Sequence, residues 1–294
     1  MKRILTTYSP PHGHWVGDGF PVRSLLSYSR MGAANVSPFL LLDYAGPAVF
    51  PPAPYKRGVG QHPHRGFETV TLVYQGELEH RDTSGGGGII GEGDVQWMTA
   101  GAGIVHEEFH SPRFTAQGGG LEMVQLWVNL PARDKGTAPR YQTLSREAIP
   151  SVQLSAGAGT LRVVAGQYDG VEGPAQTFTP INLWDMHLKP GATLALTVPE
   201  GHNTLVIVLK GTLQLNESDV LRDAELARLD PAGRDLRLET NNDTHLLIMT
   251  GEPINEPVVG HGPFVMNTQD EIQQAISDFQ EGKFGMLRQE QQPR

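Results

Sequence analysis

Four side chains in two short blocks carry the types and spacing needed to hold a metal ion. The first block, Gln61-His62-Pro63-His64-Arg65-Gly66-Phe67-Glu68, leads into an apolar alternation that reads as a strand. Residues two apart on a strand point to one side, roughly 6.6 Å apart along it, so His62 and His64 can converge. The second block, Gly103-Ile104-Val105-His106-Glu107-Glu108-Phe109, repeats the spacing with His106 and Glu108, while Glu107 faces the other way. On neighbouring strands the two pairs offer three imidazole nitrogens and one carboxylate oxygen. That set suits one divalent first-row metal, among iron, copper, nickel, zinc and manganese, and leaves exchangeable positions for a substrate. The even-numbered parity continues through Val70 and Leu72, which places both imidazoles on the side of the barrel core. His12-Gly13-His14 has the same spacing but neither a carboxylate companion nor an evident strand, and ranks as the next candidate.

Other chemistries find no support. Cysteine is absent, which removes disulfides, thiolate metal sites and a Cys nucleophile. No Gly-x-Ser-x-Gly elbow is present. Gly85 to Gly88 lacks the Gly-Lys-Ser/Thr of a phosphate cradle and reads as a hairpin tip. His80, His110, His187, His202, His245 and His261 have no ligand-spaced partners, although His110 shares parity with Glu108 and is placed near the site; Trp97 and Met98 read as core. A formal charge of −9 disfavours direct nucleic-acid binding. No run approaches the ~20 apolar residues of a membrane helix, and the first eleven residues lack a signal-like apolar core, so a cytoplasmic protein is expected.

The elements that must position the site are strands. Period-two patterns run over 67–74, 95–98, 122–130, 161–165, 193–198, 204–209 and 245–249, while 35 Gly and 22 Pro without a fixed period supply the turns. The pattern lapses between Pro131 and Pro150, which suits a connection between two halves. One helix is expected from Thr268, where Thr-Gln-Asp-Glu offers a capping box and Ile272, Ile276 and Phe279 share a face before Gly282. Residues 69–78 and 204–213 align without gaps through Gly76 and Gly211, as a duplicated strand-turn-strand would. In that alignment Thr197 and Pro199 stand where His62 and His64 do, so the second half is expected to lack the site.

Three segments together, His62-Pro-His-Arg-Gly-Phe-Glu-Thr-Val70, Gly93-Asp-Val-Gln-Trp-Met-Thr-Ala-Gly-Ala-Gly-Ile-Val-His-Glu-Glu108 and Gly262-Pro-Phe-Val-Met-Asn-Thr268, resemble the pirin family of the cupin superfamily. The resemblance spans most of the chain. It implies an all-β fold of two tandem jelly-roll cupin barrels with a C-terminal helix: a metal-binding domain over residues 1–135, then a cupin-like domain over 136–294 without a metal site. The second ends in the helix, about 268–281, and a polar tail, Gln-Glu-Gln-Gln-Pro-Arg. Family ligand positions fall on His62, His64, His106 and Glu108, with iron, Fe(II), the usual metal. General cupins also take a Glu shortly after the His-x-His, which makes Glu68 the rival carboxylate. The resemblance implies a quercetinase-like dioxygenase that opens a flavonol ring with molecular oxygen, with Glu108 accepting the substrate proton. The alternative it implies is an iron-dependent binding protein acting through protein partners, either transcription factors or metabolic enzymes.

Overall fold

The computed structural model describes residues 1–9 and 12–287; the expected polar tail, 289–294, lies outside the described residues. Every segment read as a strand from its alternation is one. In the first half the strands are β1 (Ile4–Tyr8), β2 (His14–Val16), β3 (Phe20–Ser27), β4 (Phe39–Phe50), β5 (Gly58–His64), β6 (Phe67–Gln75), β7 (Leu78–Asp82), β8 (Gly87–Ile90), β9 (Val95–Thr99), β10 (Ile104–His110), β11 (Gly119–Asn129) and β12 (Arg140–Leu144). Seven form one sheet in the order β12-β9-β6-β11-β4-β3-β2, and four form a second in the order β5-β10-β7-β8. Gly85 to Gly88 spans the turn of the β7–β8 hairpin and the start of β8, as expected.

The second half repeats this plan. Its seven-stranded sheet places Asn203–Lys210 between Glu225–Leu229 and Thr244–Gly251, as β6 lies between β9 and β11, and its four-stranded sheet begins with Thr193–Thr197 paired to Asp235–Thr240. The gapless alignment through Gly76 and Gly211 thus joins equivalent central strands. The two halves also exchange material across the expected division at 135/136. β12 pairs with β9 on the first sheet, while β1 pairs with Glu225–Leu229 on the second.

The two seven-stranded sheets pack face to face. Leu42, Val70, Leu72, Trp97, Val124 and Leu126 from one meet Leu183, Leu205, Ile207, Leu247 and Met249 from the other. Burying each such side chain is worth roughly 1.5–3 kcal/mol. This layer corrects the parity expected along 62–72. Val70 and Leu72 face the partner domain, not the interior that holds the histidines, because the chain turns at Arg65-Gly66 and moves from the four-stranded sheet to the seven-stranded one. Gly66 makes that turn at φ 88°, and a Cβ there would lie 2.0 Å from Val265 O.

The C-terminal helix, Gln269–Gln280, has the capping box: Thr268 Oγ1 accepts from Glu271 N, and the Glu271 carboxylate accepts from Thr268 N. It packs with Val105, Phe264, Met266 and Phe284, so it lies against β10 of the first domain. Val105 alternates with His106, and the helix therefore backs the strand that carries the second candidate pair, His106 and Glu108.

Candidate metal centre

β5 and β10 pair antiparallel with His62 opposite His106, which brings the two sequence blocks together. The rings of His62, His64 and His106 form a triangle with centroid separations of 4.9, 4.2 and 4.8 Å. One ligand atom from each lies within 4.8 Å of the others, and the same holds for His80, His106 and Glu108. The cluster is therefore five residues wide. His12 and His14 belong to neither group among the described residues.

Each of the three imidazoles has its Nδ1 directed at the protein. His62 Nδ1 lies 2.8 Å from Gly60 O, His64 Nδ1 3.4 Å from Pro263 O and His106 Nδ1 3.4 Å from His80 Nδ1. His106 Nε2 is buried without a hydrogen-bond partner. Such an atom is costly unless something binds it. Burial, with like charge from the neighbouring imidazoles, pulls His64 down to about 3 and His106 well below the usual range. Both are neutral at physiological pH, the form in which imidazole binds metal. The donor set and the orphaned nitrogen fit a divalent transition metal.

Glu108, buried on β10, accepts a hydrogen bond at 3.0 Å from Gln125 Nε2 on β11. Glu68 is elsewhere. After the turn at Gly66 its side chain accepts from Thr99 Oγ1 at 2.7 Å, and it joins neither ligating group. The parity shared with His62 and His64 does not survive the turn. Burial pushes its carboxyl up to about 7.

Sequence reasoning missed His80, Asp82, Gln96, Gln125 and Tyr141. His80 Nε2 meets Asp82 Oδ2 at 3.1 Å, Gln96 Nε2 meets His80 Nδ1 at 3.0 Å, and the Tyr141 ring stacks on His80 with centroids 5.1 Å apart. Burial raises the Asp82 carboxyl, but bonds from His80, Ser84 and Gly86 outweigh it and hold the group below its usual range. The alternation Leu78, His80, Asp82, buried at every second position, was the available signal. His110, expected near the site, is a packing residue. Its Nε2 bonds Gly19 O at 3.0 Å and its ring sits among Phe20, Phe50 and Phe114. Trp97 and Met98 are fully buried, as expected.

The second domain holds no such cluster among the described residues. The inward positions of its equivalent strands are Leu194, Leu196, Leu236 and Leu238, packed into an apolar core. Thr197, which the gapless alignment set against His62, is exposed. A cavity of about 1110 Å³ opens on this domain, lined by Tyr168, Trp184, His202 and Arg234 among others, and none of His62, His64, His80 and His106 lines it.

Tandem domains of facing sheets, with a histidine cluster found among the described residues inside the first, define a two-domain cupin. The Pirin family model matches residues 19–128 and that of the Pirin C-terminal cupin domain matches residues 183–285, and the chain belongs to the pirin family. It is 59% identical over 284 residues to a Pseudomonas aeruginosa protein named "Putative quercetin 2,3-dioxygenase PA2418", covering 97% of this chain and 99% of that one. Human Pirin is 36% identical over 279 residues, covering 92% and 91%. A crystal structure of quercetin 2,3-dioxygenase from Acinetobacter baumannii superposes with a TM-score of 0.95 at 54% identity, covering 97% of this chain and 99% of that one. No helix among the described residues is long and apolar enough to cross a membrane.

Proposed function

We propose that the first domain binds one divalent transition metal through His62, His64, His106 and Glu108, and that the loaded protein is a dioxygenase of the quercetinase type acting on a flavonol. The observation that carries the metal is His106 Nε2, buried and unpartnered among three imidazoles whose Nδ1 atoms are all turned away. The substrate class rests on the relatives named for quercetin dioxygenation that match nearly the whole chain.

Bound there, the ion supplies Lewis acidity toward a substrate hydroxyl and redox capacity toward oxygen, with Fe(II) the expected metal and Cu, Ni, Zn or Mn compatible with the same donors. His64 and His106 stay neutral through burial, and the three imidazoles hold the site open on the Nε2 side. Glu108 accepts the hydroxyl proton of the bound flavonol on a carboxylate oxygen. Gln125, donating to Glu108 Oε2, fixes the rotamer from which that transfer occurs. His64 packs against Phe67 and Trp127, with centroids 5.0 and 5.3 Å away, so water is excluded on that side.

The test is oxygen uptake by iron-, copper- and nickel-loaded protein with a panel of flavonols and catechols, alongside metal analysis of the protein as purified. Uptake with a flavonol, dependent on metal, supports the reading. Metal at one equivalent without turnover under any loading refutes the enzyme for these substrates.

A further inference from the structure

Three ligand histidines leave their Nε2 atoms for the ion only if each carries its proton on Nδ1. For His62 and His64 the backbone settles this. Gly60 O and Pro263 O can only accept, so each Nδ1 donates. His106 faces no carbonyl. Its Nδ1 faces another imidazole nitrogen, His80 Nδ1 at 3.4 Å, and one of the two must donate.

The surroundings of His80 decide which. The Tyr141 hydroxyl donates to Gln96 Oε1 at 3.1 Å, which turns Gln96 Nε2 toward His80 Nδ1 at 3.0 Å. An amide NH₂ only donates, so His80 Nδ1 is an acceptor and its proton lies on Nε2. That proton is given to Asp82 Oδ2 at 3.1 Å. Asp82 cannot turn away, because its other oxygen accepts from Ser84 N at 2.8 Å, Ser84 Oγ at 2.6 Å and Gly86 N at 3.0 Å. His106 Nδ1 is then the donor, and His106 Nε2 is left bare. Sharing one lone pair on His80 between Gln96 and His106 accounts for the length of the second contact. Both nitrogens of His80 are engaged, so the grouping of His80 with His106 and Glu108 does not make it a ligand.

We propose that Asp82, His80 and Gln96 form a tautomer lock, positioning residues that force His106 to present Nε2 to the metal. This rests on the reading that His106 is a ligand. The lock does for His106 what Gly60 O and Pro263 O do for the other two imidazoles, at a strand position where no carbonyl is available. Outer partners of this kind set ligand orientation and basicity, and their loss typically costs 10–100-fold in metal affinity.

Asp82→Asn tests it. The asparagine Oδ1 keeps the bonds from Ser84 and Gly86, while its NH₂ meets His80 Nε2–H; His80 then moves its proton to Nδ1, the Gln96 amide rotates to accept it on Oε1 and donates to the Tyr141 hydroxyl, and His106 moves its own proton to Nε2. Long-range ¹⁵N–¹H spectra of the metal-free protein at pH 8 are expected to show His106 as Nδ1–H and His80 as Nε2–H in the wild type, with both reversed in Asp82→Asn. Calorimetric titration with Ni(II) alone is expected to show affinity about 10–100-fold weaker in the variant. A wild-type His106 carrying its proton on Nε2 overturns the lock, and that measurement needs no variant to fold. So does Asp82→Asn with unchanged Ni(II) affinity. Failure of the metal reading is separately visible: wild type and His106→Ala then bind Ni(II) alike, or not at all.

Discussion

Arg65 and Asp278, 213 residues apart, are joined by an ion pair at 2.6 Å between Nη1 and Oδ2. Arg65 directly follows His64, the second of the proposed ligands, and Asp278 lies on the C-terminal helix. The backbone repeats the connection, since Arg65 N bonds Pro263 O at 3.3 Å and Val265 N bonds Arg65 O at 3.1 Å. Lys135 Nζ completes it by donating to Gly66 O, Asn129 Oδ1 and Val265 O. The end of the ligand strand is thus held by residues from the opposite end of the chain.

Asp278→Ala removes the acceptor for Arg65, Lys283 and Gln274 at once. The group is near the surface, so solvent screens most of the gain, and about 1 kcal/mol of stability is expected to be lost. Because Pro263 O orients His64, metal affinity should fall a few-fold while stoichiometry holds. Thermal melts and a metal titration check both, and an unchanged titration would show that the ligand strand does not depend on the helix.

Glu68 gives a pH dependence that separates it from the site. Its carboxyl rises from 4.5 to about 7 in the fold through burial, with Thr99 and Arg140 pulling the other way. Between those values the folded protein holds a proton that the unfolded chain has released. Stability therefore falls as pH rises from 4.5 to 7, by up to about 3 kcal/mol. Glu68→Gln should flatten that window, stabilise the protein at pH 7.5 by about 1–3 kcal/mol and leave metal stoichiometry intact. Urea unfolding at several pH values measures the slope; a slope unchanged in the variant assigns it to other groups.

What was legible in the sequence follows the range of each signal. Period two holds within a strand, so the pairs His62/His64 and His106/Glu108 and the strands themselves could be read directly. It fails across Gly66, where the chain changes sheets, and this misplaced Val70, Leu72 and Glu68. The helix was legible to its capping box because that motif is local, yet its docking on Val105 was not, since nothing near Thr268 points to β10. His80 was passed over although Asp82 stands two residues along the same strand, because its other partners, Gln96, His106 and Tyr141, lie on three other elements. The comparison of halves found the right central strand but set Thr197 against His62, since a gapless alignment cannot follow loops of unequal length.

One metal equivalent is expected per chain, removed by His62→Ala or His106→Ala. In the second domain Leu194, Leu196, Leu236 and Leu238 fill the equivalent interior, so no second ion has donors there. Losing one imidazole leaves an incomplete shell with uncompensated neighbours. Metal analysis after exhaustive dialysis gives the count. Two equivalents, or metal persisting in both variants, would move the site, with His12 and His14 the next to substitute.

Glu108→Gln separates ligand from base. The substitution keeps the size and one carbonyl oxygen but removes charge and basicity, while three imidazoles remain to hold the ion. Gln125 can still donate to the new amide oxygen as it does to Glu108 Oε2, so the rotamer should persist. Metal should be weakened, not lost. If the carboxylate takes the flavonol proton, turnover at saturating metal should fall by about 10²–10⁴, well beyond any remaining deficit in occupancy. Measuring rate and bound metal on the same samples makes the distinction, because activity that tracks occupancy confines Glu108 to coordination. Glu68→Gln is the control, expected to keep both metal and rate. Should it strip the metal while Glu108→Gln does not, the carboxylate ligand would have to be sought on the far side of the Gly66 turn, against the geometry that places Glu68 beside Thr99.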